Sequence, residues 1–357
     1  MRKTLNPPVK CAVIGYGAAH NFGRAHGRWI TNTPGLEWVA VCDKDPLRLE
    51  LAKSEFPHLS TYSSVTDLLE KADIDMVSVV TPHYTHAPIA IECMKSGKHV
   101  IVDKAMCISV AEADLMIEES KKNDVMLAVF HNRRHDGNFR AIKEVVHSGQ
   151  IGQVFHIELT AGGFGRPNEW WFSKKALSGG LFYYWGPHAV DWVLDLVNSK
   201  ILGVTGFFHK LVWKDFDIED QTRAIILFEN GIVADVSFSY IEAIGKPLWR
   251  ILGTKGAIVD SGNGAINGYL NELNGPSGGS FLMVTIGENG ERKETIVPYD
   301  ESDWLTYYIE IAEHLLQGKP IPVSGEDGRS VIEVLESAEH SSKIGHTVSI
   351  QEKRVIT

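Results

Sequence analysis

Residues 12–29 read AVIGYGAAHNFGRAHGRW, and the reading of this stretch decides the fold. An apolar run, Val9–Ile14, leads into Gly15-Tyr16-Gly17. Glycines at the end of a buried strand let the backbone turn tightly against a pyrophosphate. The helix that follows points its unpaired N–H groups at the same phosphates. A third glycine is expected three residues after Gly17, but His20 stands there and the next glycine is Gly23. If Ala19, His20 and Asn21 are additions, Gly23 becomes the residue at which helix packs on strand. The helix then starts near Gly23, and His20 and Asn21 lie beside the phosphates or the nicotinamide of a dinucleotide.

The flanking sequence supplies the context such a turn needs. EWVAVCD (37–43) is a second apolar run, ending in Asp43. A carboxylate there hydrogen-bonds the ribose hydroxyls and repels a 2′-phosphate, which favours NAD over NADP; Lys44 offsets part of that repulsion. DIDMVSVVTP, KHVIVDKA and VMLAVFHN are further buried strands, separated by helical patterns in PLRLELAKSEF, HAPIAIECMKSG and SVAEADLMIEESKKND. Strands alternating with helices predict an α/β, doubly wound parallel sheet over residues 1–130, a Rossmann domain. After about residue 150 the pattern changes to strand-like runs with two ENG turns, then two closing helices. This predicts an α+β domain over residues 131–357 with a broad, mostly antiparallel sheet, its C-terminal helices free to pack back on the first domain. SGNGAINGYLNELNGPSGGS (261–280) reads as a long surface loop.

Composition narrows the function. The chain has 357 residues and a net charge of −10, which offers no electrostatic footprint for nucleic acid. No apolar run is long enough to span a bilayer, and MRKTLNPPVK has no apolar segment of a signal peptide. Cys11, Cys42, Cys93 and Cys107 are scattered, as expected of buried thiols in a cytoplasmic protein. The 15 histidines raise a metal enzyme as a competing reading. His83 with His86, and His131 with His135, are spaced like ligands, yet Arg133 and Arg134 between the latter oppose a divalent ion. No HExxH or cysteine cluster occurs, so no metal is expected.

Several motifs in order carry a resemblance. They are GYG…GRAH, TPHYTHAPIAIECMKSGKHVIVDKA, HNRRHDGNF with SGQIGQV, SGGLFYYWGPHAVDW, and PVSGEDGRSVIEVLESAEHSSKIGHTVSI. Over nearly its whole length the chain resembles the glucose–fructose oxidoreductase and inositol dehydrogenase family (Gfo/Idh/MocA). The resemblance implies NAD(P) on the first domain and a sugar, inositol or glycoside between it and the open face of the second sheet. It also implies a homo-oligomer formed through that sheet. Cofactor contacts would fall to Gly15, Gly17, Phe22, Gly23, Asp43 and Lys44, with His20 and Asn21 from the added residues. Thr81, Pro82, His86 and Lys104 would complete them.

Oxidising a secondary alcohol needs a group to take the hydroxyl proton and a positive group for the developing alkoxide. Lys104 ends the strand HVIVDK at the carboxyl edge of the parallel sheet, where ligands bind. It is read as catalytic; a solvent lysine ending a strand is the plain alternative. His188 is the candidate base, against a helix-cap or core histidine. In a helix starting at Pro187, Asp191 shares its face and is a candidate to orient the imidazole or to touch a substrate hydroxyl. Two departures from the family stand out. Its Glu-Lys-Pro reads Asp103-Lys104-Ala105, which frees the following loop to take another path. Its aspartate four residues before the histidine is Tyr184, a poor base with a pKa near ~10 that can still donate a hydrogen bond to substrate.

Trp170 and Trp171, in the polar RPNEWWFSKK, are candidates for lining the substrate site; core packing is the alternative, as for Phe172, Phe182, Tyr183, Trp185 and Trp192. Arg133, Arg134 and Asp136 follow the last Rossmann strand, for substrate hydrogen bonding or for a salt bridge between domains. The expected activity is NAD-dependent oxidation of a secondary ring hydroxyl of a sugar, glycoside or inositol, in its finest form C3 of a glucosyl unit. Two alternatives stand beside it: glycoside cleavage with tightly held NAD, and a non-catalytic NAD-binding regulator.

Overall fold

The apolar runs of the first third form β1 (Val9–Ile14), β2 (Leu36–Cys42), β3 (Ser60–Tyr62), β4 (Met76–Val79), β5 (His99–Val102) and β6 (Leu127–Val129). The computed structural model describes residues 4–17, 22–261 and 278–350. The six strands pair in parallel in the order β3-β2-β1-β4-β5-β6. Val77, Val79, Val100, Ile101 and Val102 are fully buried, as continuous apolar strands covered on both faces must be. The connecting helices are α1 (Phe22–Asn32), α2 (Pro46–Glu55), α3 (Val65–Lys71), α4 (His86–Lys95) and α5 (Val110–Lys122). Their starts are encoded locally. Asp45 accepts the Leu47 N–H ahead of Pro46, and Ser109 accepts the Glu112 N–H.

Strand order reverses between β1 and β4, which opens a crevice at the carboxyl ends of the strands. Gly15 follows β1, Asp43 follows β2, Thr81 lies just beyond β4 and Lys104 just beyond β5. The expected doubly wound sheet is therefore present, with the cofactor motifs along one edge.

Gly23 does what the third glycine of such a turn does. A Cβ there would overlap the carbonyl of Gly15 and press on the Cα of Tyr16. Gly23→Ala is expected to cost about 3 kcal/mol by overpacking. A thermal melt reads this as a midpoint several degrees lower, and an unchanged midpoint would refute the packing role.

Contacts divide the described chain into two units. The first holds residues up to His135 together with Asp303–Ile332; the second holds the rest. Within the first unit, α9 (Leu305–Gln317) closes the core. The Tyr308 hydroxyl lies 2.6 Å from His26 Nδ1 and 2.9 Å from Ser78 Oγ, and the Tyr307 hydroxyl donates to the Val129 carbonyl at 2.9 Å. Burial pushes the His26 pKa down to about 3, so its ring is neutral.

The second unit is built on β7 (Val154–Gly162), β8 (Ile201–His209), β9 (Gln221–Phe228), β10 (Val233–Ser239), β11 (Trp249–Gly253), β12 (Gly256–Asp260), β13 (Ser280–Ile286), β14 (Arg292–Pro298) and β15 (Val348–Ser349). Their order is β14-β13-β12-β11-β7-β10-β9-β8-β15. Only β7 and β10 pair in parallel, so the sheet is mostly antiparallel, as expected. Both ENG turns join hairpins, with Gly231 at φ +84° and Gly290 at φ +80°. Along β9, Thr222, Ala224, Ile226 and Phe228 are buried while the alternate residues are half-buried. On the alternate face, Arg223 pairs with Asp235 and Arg250 with Glu158 across neighbouring strands. The unit's helices are α6 (Gly137–His147), α7 (Lys175–Ser178), α8 (Phe182–Val197) and the later part of α10 (Gly325–Ile344). Phe139, Trp192 and Trp249 stack in its core at 5.6–6.2 Å, so Trp192 is a packing residue. Residues 262–277 of the glycine-rich loop lie outside the described residues. All four cysteines are buried free thiols.

Candidate active site

The dinucleotide turn is shaped by backbone that only glycine tolerates. Gly15 has φ +94° and a Cβ there would overlap the Val80 carbonyl, while Gly17 has φ +100°. The Tyr16 N–H donates to Asp43 Oδ2 at 2.9 Å and the Asp45 N–H to Oδ1 at 3.0 Å. The Asp43 carboxylate is thus held at the end of β2, and each oxygen keeps lone-pair capacity for a ribose hydroxyl. The glycine cradle and this acid together fit NAD. Lys44 beside it is exposed. Phe22 opens α1 and makes edge contacts with His26, Trp29 and Phe130. His20 and Asn21 lie outside the described residues.

Thr81 and Pro82 lie in the loop after β4, His86 opens α4, and Lys104 lies in the loop after β5. The Thr85 hydroxyl donates to Thr81 Oγ1 at 2.7 Å. His86 is fully buried, with Nε2 2.6 Å from the Thr81 carbonyl and Nδ1 2.8 Å from the Ala105 carbonyl. Each of its two nitrogens therefore faces a main-chain carbonyl. Burial pushes the Lys104 pKa down to about 8; Asp103 opposes this and Arg133 adds to it. Burial likewise pushes the Asp103 carboxyl up to about 6, against the pull of Lys104. The Lys104–Ala105 peptide is cis although no proline is present. Arg133 is buried, its guanidinium 5.4 Å from the centroid of the Trp304 ring, and Arg134 donates to the Pro322 carbonyl at 3.4 Å. Asp136, also buried, immediately precedes α6.

In the second unit the expected helix start needs correcting. α8 begins at Phe182, five residues before Pro187, which sits inside the helix. Burial of Phe182 and Tyr183 holds the added turn, although Pro187 offers no N–H to the Tyr183 carbonyl. The shift changes the site: Tyr184, His188 and Asp191 now fall at i, i+4 and i+7 on one face. His188 is 6% exposed and Asp191 2%. Rings connect this stripe to the tryptophans. Trp170 and Trp171 each contact Phe172, Phe172 contacts Tyr184 at 4.5 Å, Tyr184 contacts Trp185, and Trp185 contacts His188 at 5.7 Å. The structure thus joins Trp170, Trp171, Tyr184 and His188. Phe172 and Trp185, which the sequence alone left as packing candidates, are the links.

One residue of this region escaped the sequence reading. Glu219 is buried, accepts the Leu181 N–H at 3.0 Å and pairs with Lys175, so it ties down the turn that starts α8. Gly180 in that turn has φ +111°, and a Cβ would come 2.7 Å from Glu219 Oε2. Nothing marked Glu219 among its acidic neighbours Asp215, Asp217 and Asp220. Gly180→Ala is expected to lower kcat about tenfold by displacing α8, with NAD affinity unchanged. Steady-state kinetics beside an NAD titration checks this.

Among the described residues no group of three or more His, Cys, Asp or Glu is arranged to hold a metal ion, and no helix is long and apolar enough to cross a membrane.

The family model described as "Oxidoreductase family, NAD-binding Rossmann fold" matches residues 9–131, and "GFO/IDH/MocA C-terminal domain" matches residues 139–259. The chain belongs to the Gfo/Idh/MocA oxidoreductase family. As a member it is an NAD(P)-dependent oxidoreductase, and NAD is its supported cofactor. It is similar to scyllo-inositol 2-dehydrogenase (NADP(+)) of Bacillus subtilis (strain 168), 24% identical over 360 residues with 96% of each chain covered. It is also similar to scyllo-inositol 2-dehydrogenase (NAD(+)) of the same organism, 27% identical over 359 residues with 98% of each covered. Among solved structures, an oxidoreductase from Agrobacterium radiobacter in complex with NAD+, L-tartaric acid and magnesium shares the fold. Its TM-score is 0.80 at 21% identity, covering 96% of this chain and 98% of that one.

Proposed function

We propose that this Gfo/Idh/MocA member reversibly oxidises a secondary ring hydroxyl of a cyclic polyol or sugar, in its finest form C3 of a glucosyl unit. The observation that carries the reading is Lys104: a lysine at the ligand edge of the NAD sheet whose pKa burial lowers to about 8. A lysine so poised exchanges its proton near neutral pH, as the reacting hydroxyl requires. His188 takes part as the second proton-handling group, with Tyr184 donating to the substrate oxygen and Asp191 orienting the imidazole. Bound NAD supplies the hydride acceptor. The inositol dehydrogenases among the relatives support a polyhydroxylated ring as substrate. The rings from Trp170 to Trp185 support a substrate with apolar C–H faces.

The test follows NADH absorbance across inositols, monosaccharides and aryl glycosides, with NAD and then NADP. Turnover of at least one ring polyol with NAD is expected; no turnover of any with either cofactor would sink the reading. Cofactor preference has its own check. Asp43→Asn keeps an acceptor for a backbone N–H and removes the charge that repels a 2′-phosphate. It should narrow the NAD-over-NADP preference in kcat/KM by about tenfold or more.

A further inference from the structure

The resemblance puts His86 among cofactor contacts; in the structure its ring lies between two main-chain carbonyls. The imidazole stands on the first turn of α4, is fully buried, and lies 2.6 Å from the Thr81 carbonyl and 2.8 Å from the Ala105 carbonyl. Thr81 belongs to the loop after β4; Ala105 is the residue after Lys104 in the loop after β5. We propose that His86 is a positioning residue for Lys104, its ring tying the backbone just past the lysine to the neighbouring strand's loop. The inference rests on Lys104 as the acid–base group.

The chemistry of the ring supports a clamp rather than a proton carrier. Carbonyl oxygens only accept, so a neutral imidazole donates to one of the two and a protonated one to both. Burial pushes the His86 pKa down to about 4, with the nearby Lys104 ammonium adding to that; the carbonyls of Ala105, Thr81 and Met106 pull the other way. The ring is therefore neutral near pH 7. It carries one donated bond while its bulk fills the space between the loops. Among the charged groups that act on Lys104 are Asp103 beside it and Arg133 from the segment after β6, and the His83 ring centroid lies 5.7 Å from that of His86. The lysine's lowered pKa comes first from burial. Losing the clamp lets the amino group relax toward water, and its proton affinity then returns toward that of an ordinary lysine.

The test uses full-length protein, with His86→Phe and His86→Gln variants. The pH midpoint for acylation of Lys104 by limiting acetic anhydride, followed by mass spectrometry of its peptide, reports the amino group without any substrate. In the wild type the midpoint should lie at about 8. His86→Phe should raise it by about one pH unit or more and lower kcat about 100-fold, with the NAD Kd within about threefold. Glutamine still offers an N–H to one carbonyl, so His86→Gln should recover about tenfold of that loss and show an intermediate midpoint. A folded His86→Phe protein with an unchanged Lys104 midpoint overturns the proposal, whatever happens to kcat. If His86→Phe does not fold, an unchanged midpoint in His86→Gln overturns it equally. Should the wild type oxidise no polyol, the proposed function falls, while the acylation midpoints still decide whether His86 positions the lysine.

Discussion

Lys104→Met is expected to lower kcat/KM for alcohol oxidation by about 10³-fold while the NAD Kd stays within about threefold. Methionine keeps most of the apolar stem and removes the group that carries a proton. The wild-type pH dependence follows from the same residue. With its pKa lowered to about 8, Lys104 is an ammonium below that pH and a neutral amine above it. If Lys104 takes the hydroxyl proton as proposed, before any relay through His188, oxidation needs the neutral amine and its kcat/KM should rise as pH increases through about 8. Reduction needs the ammonium as donor, so it should fall through the same midpoint. Both limbs should vanish in Lys104→Met. Lys104→Arg keeps the charge but not a transferable proton, and should lose both limbs as well. A rate profile with the wild-type midpoint in either variant would remove Lys104 from proton transfer.

The first domain was legible because each of its signals is local. Buried parallel strands need continuous apolar runs, and glycines, caps and Asp43 fall at fixed offsets from them. Even the respaced third glycine could be read, since close packing of helix on strand admits no side chain at Gly23. The start of α8 could not be read. Proline favours the first helical position, which pointed to Pro187, but burial of Phe182 and Tyr183 extends the helix past it. That local preference was overridden by packing, and the alignment of Tyr184 with His188 was hidden as a result. The tasks of His86 and Glu219 were out of reach for another reason. Their partners include main-chain atoms of Thr81, Ala105 and Leu181, and no side-chain pattern encodes a main-chain partner. Composition could not separate the aromatics either: Trp192 is core, whereas Trp170, Trp171 and Trp185 belong to the row of rings that reaches His188.

His188→Gln should lower kcat by about 10³-fold with the substrate KM little changed, because a group that moves a proton matters in the transition state more than in binding. The stripe on α8 ranks its members. If Asp191, one turn beyond His188 and almost fully buried, orients the imidazole as proposed, Asp191→Asn should cost about 10²-fold. Tyr184→Phe removes a single hydrogen-bond donor and keeps the ring that contacts Phe172 and Trp185; it should cost about tenfold. The ordering matters more than any one figure, since it separates two ways of running the chemistry. If His188 moves the proton, the loss at His188 exceeds that at Tyr184 and the double variant is no worse than His188→Gln by more than about threefold. If Tyr184→Phe proves the more damaging, the phenol has taken the role of the aspartate found at this place in other family members, and His188 serves to hold it.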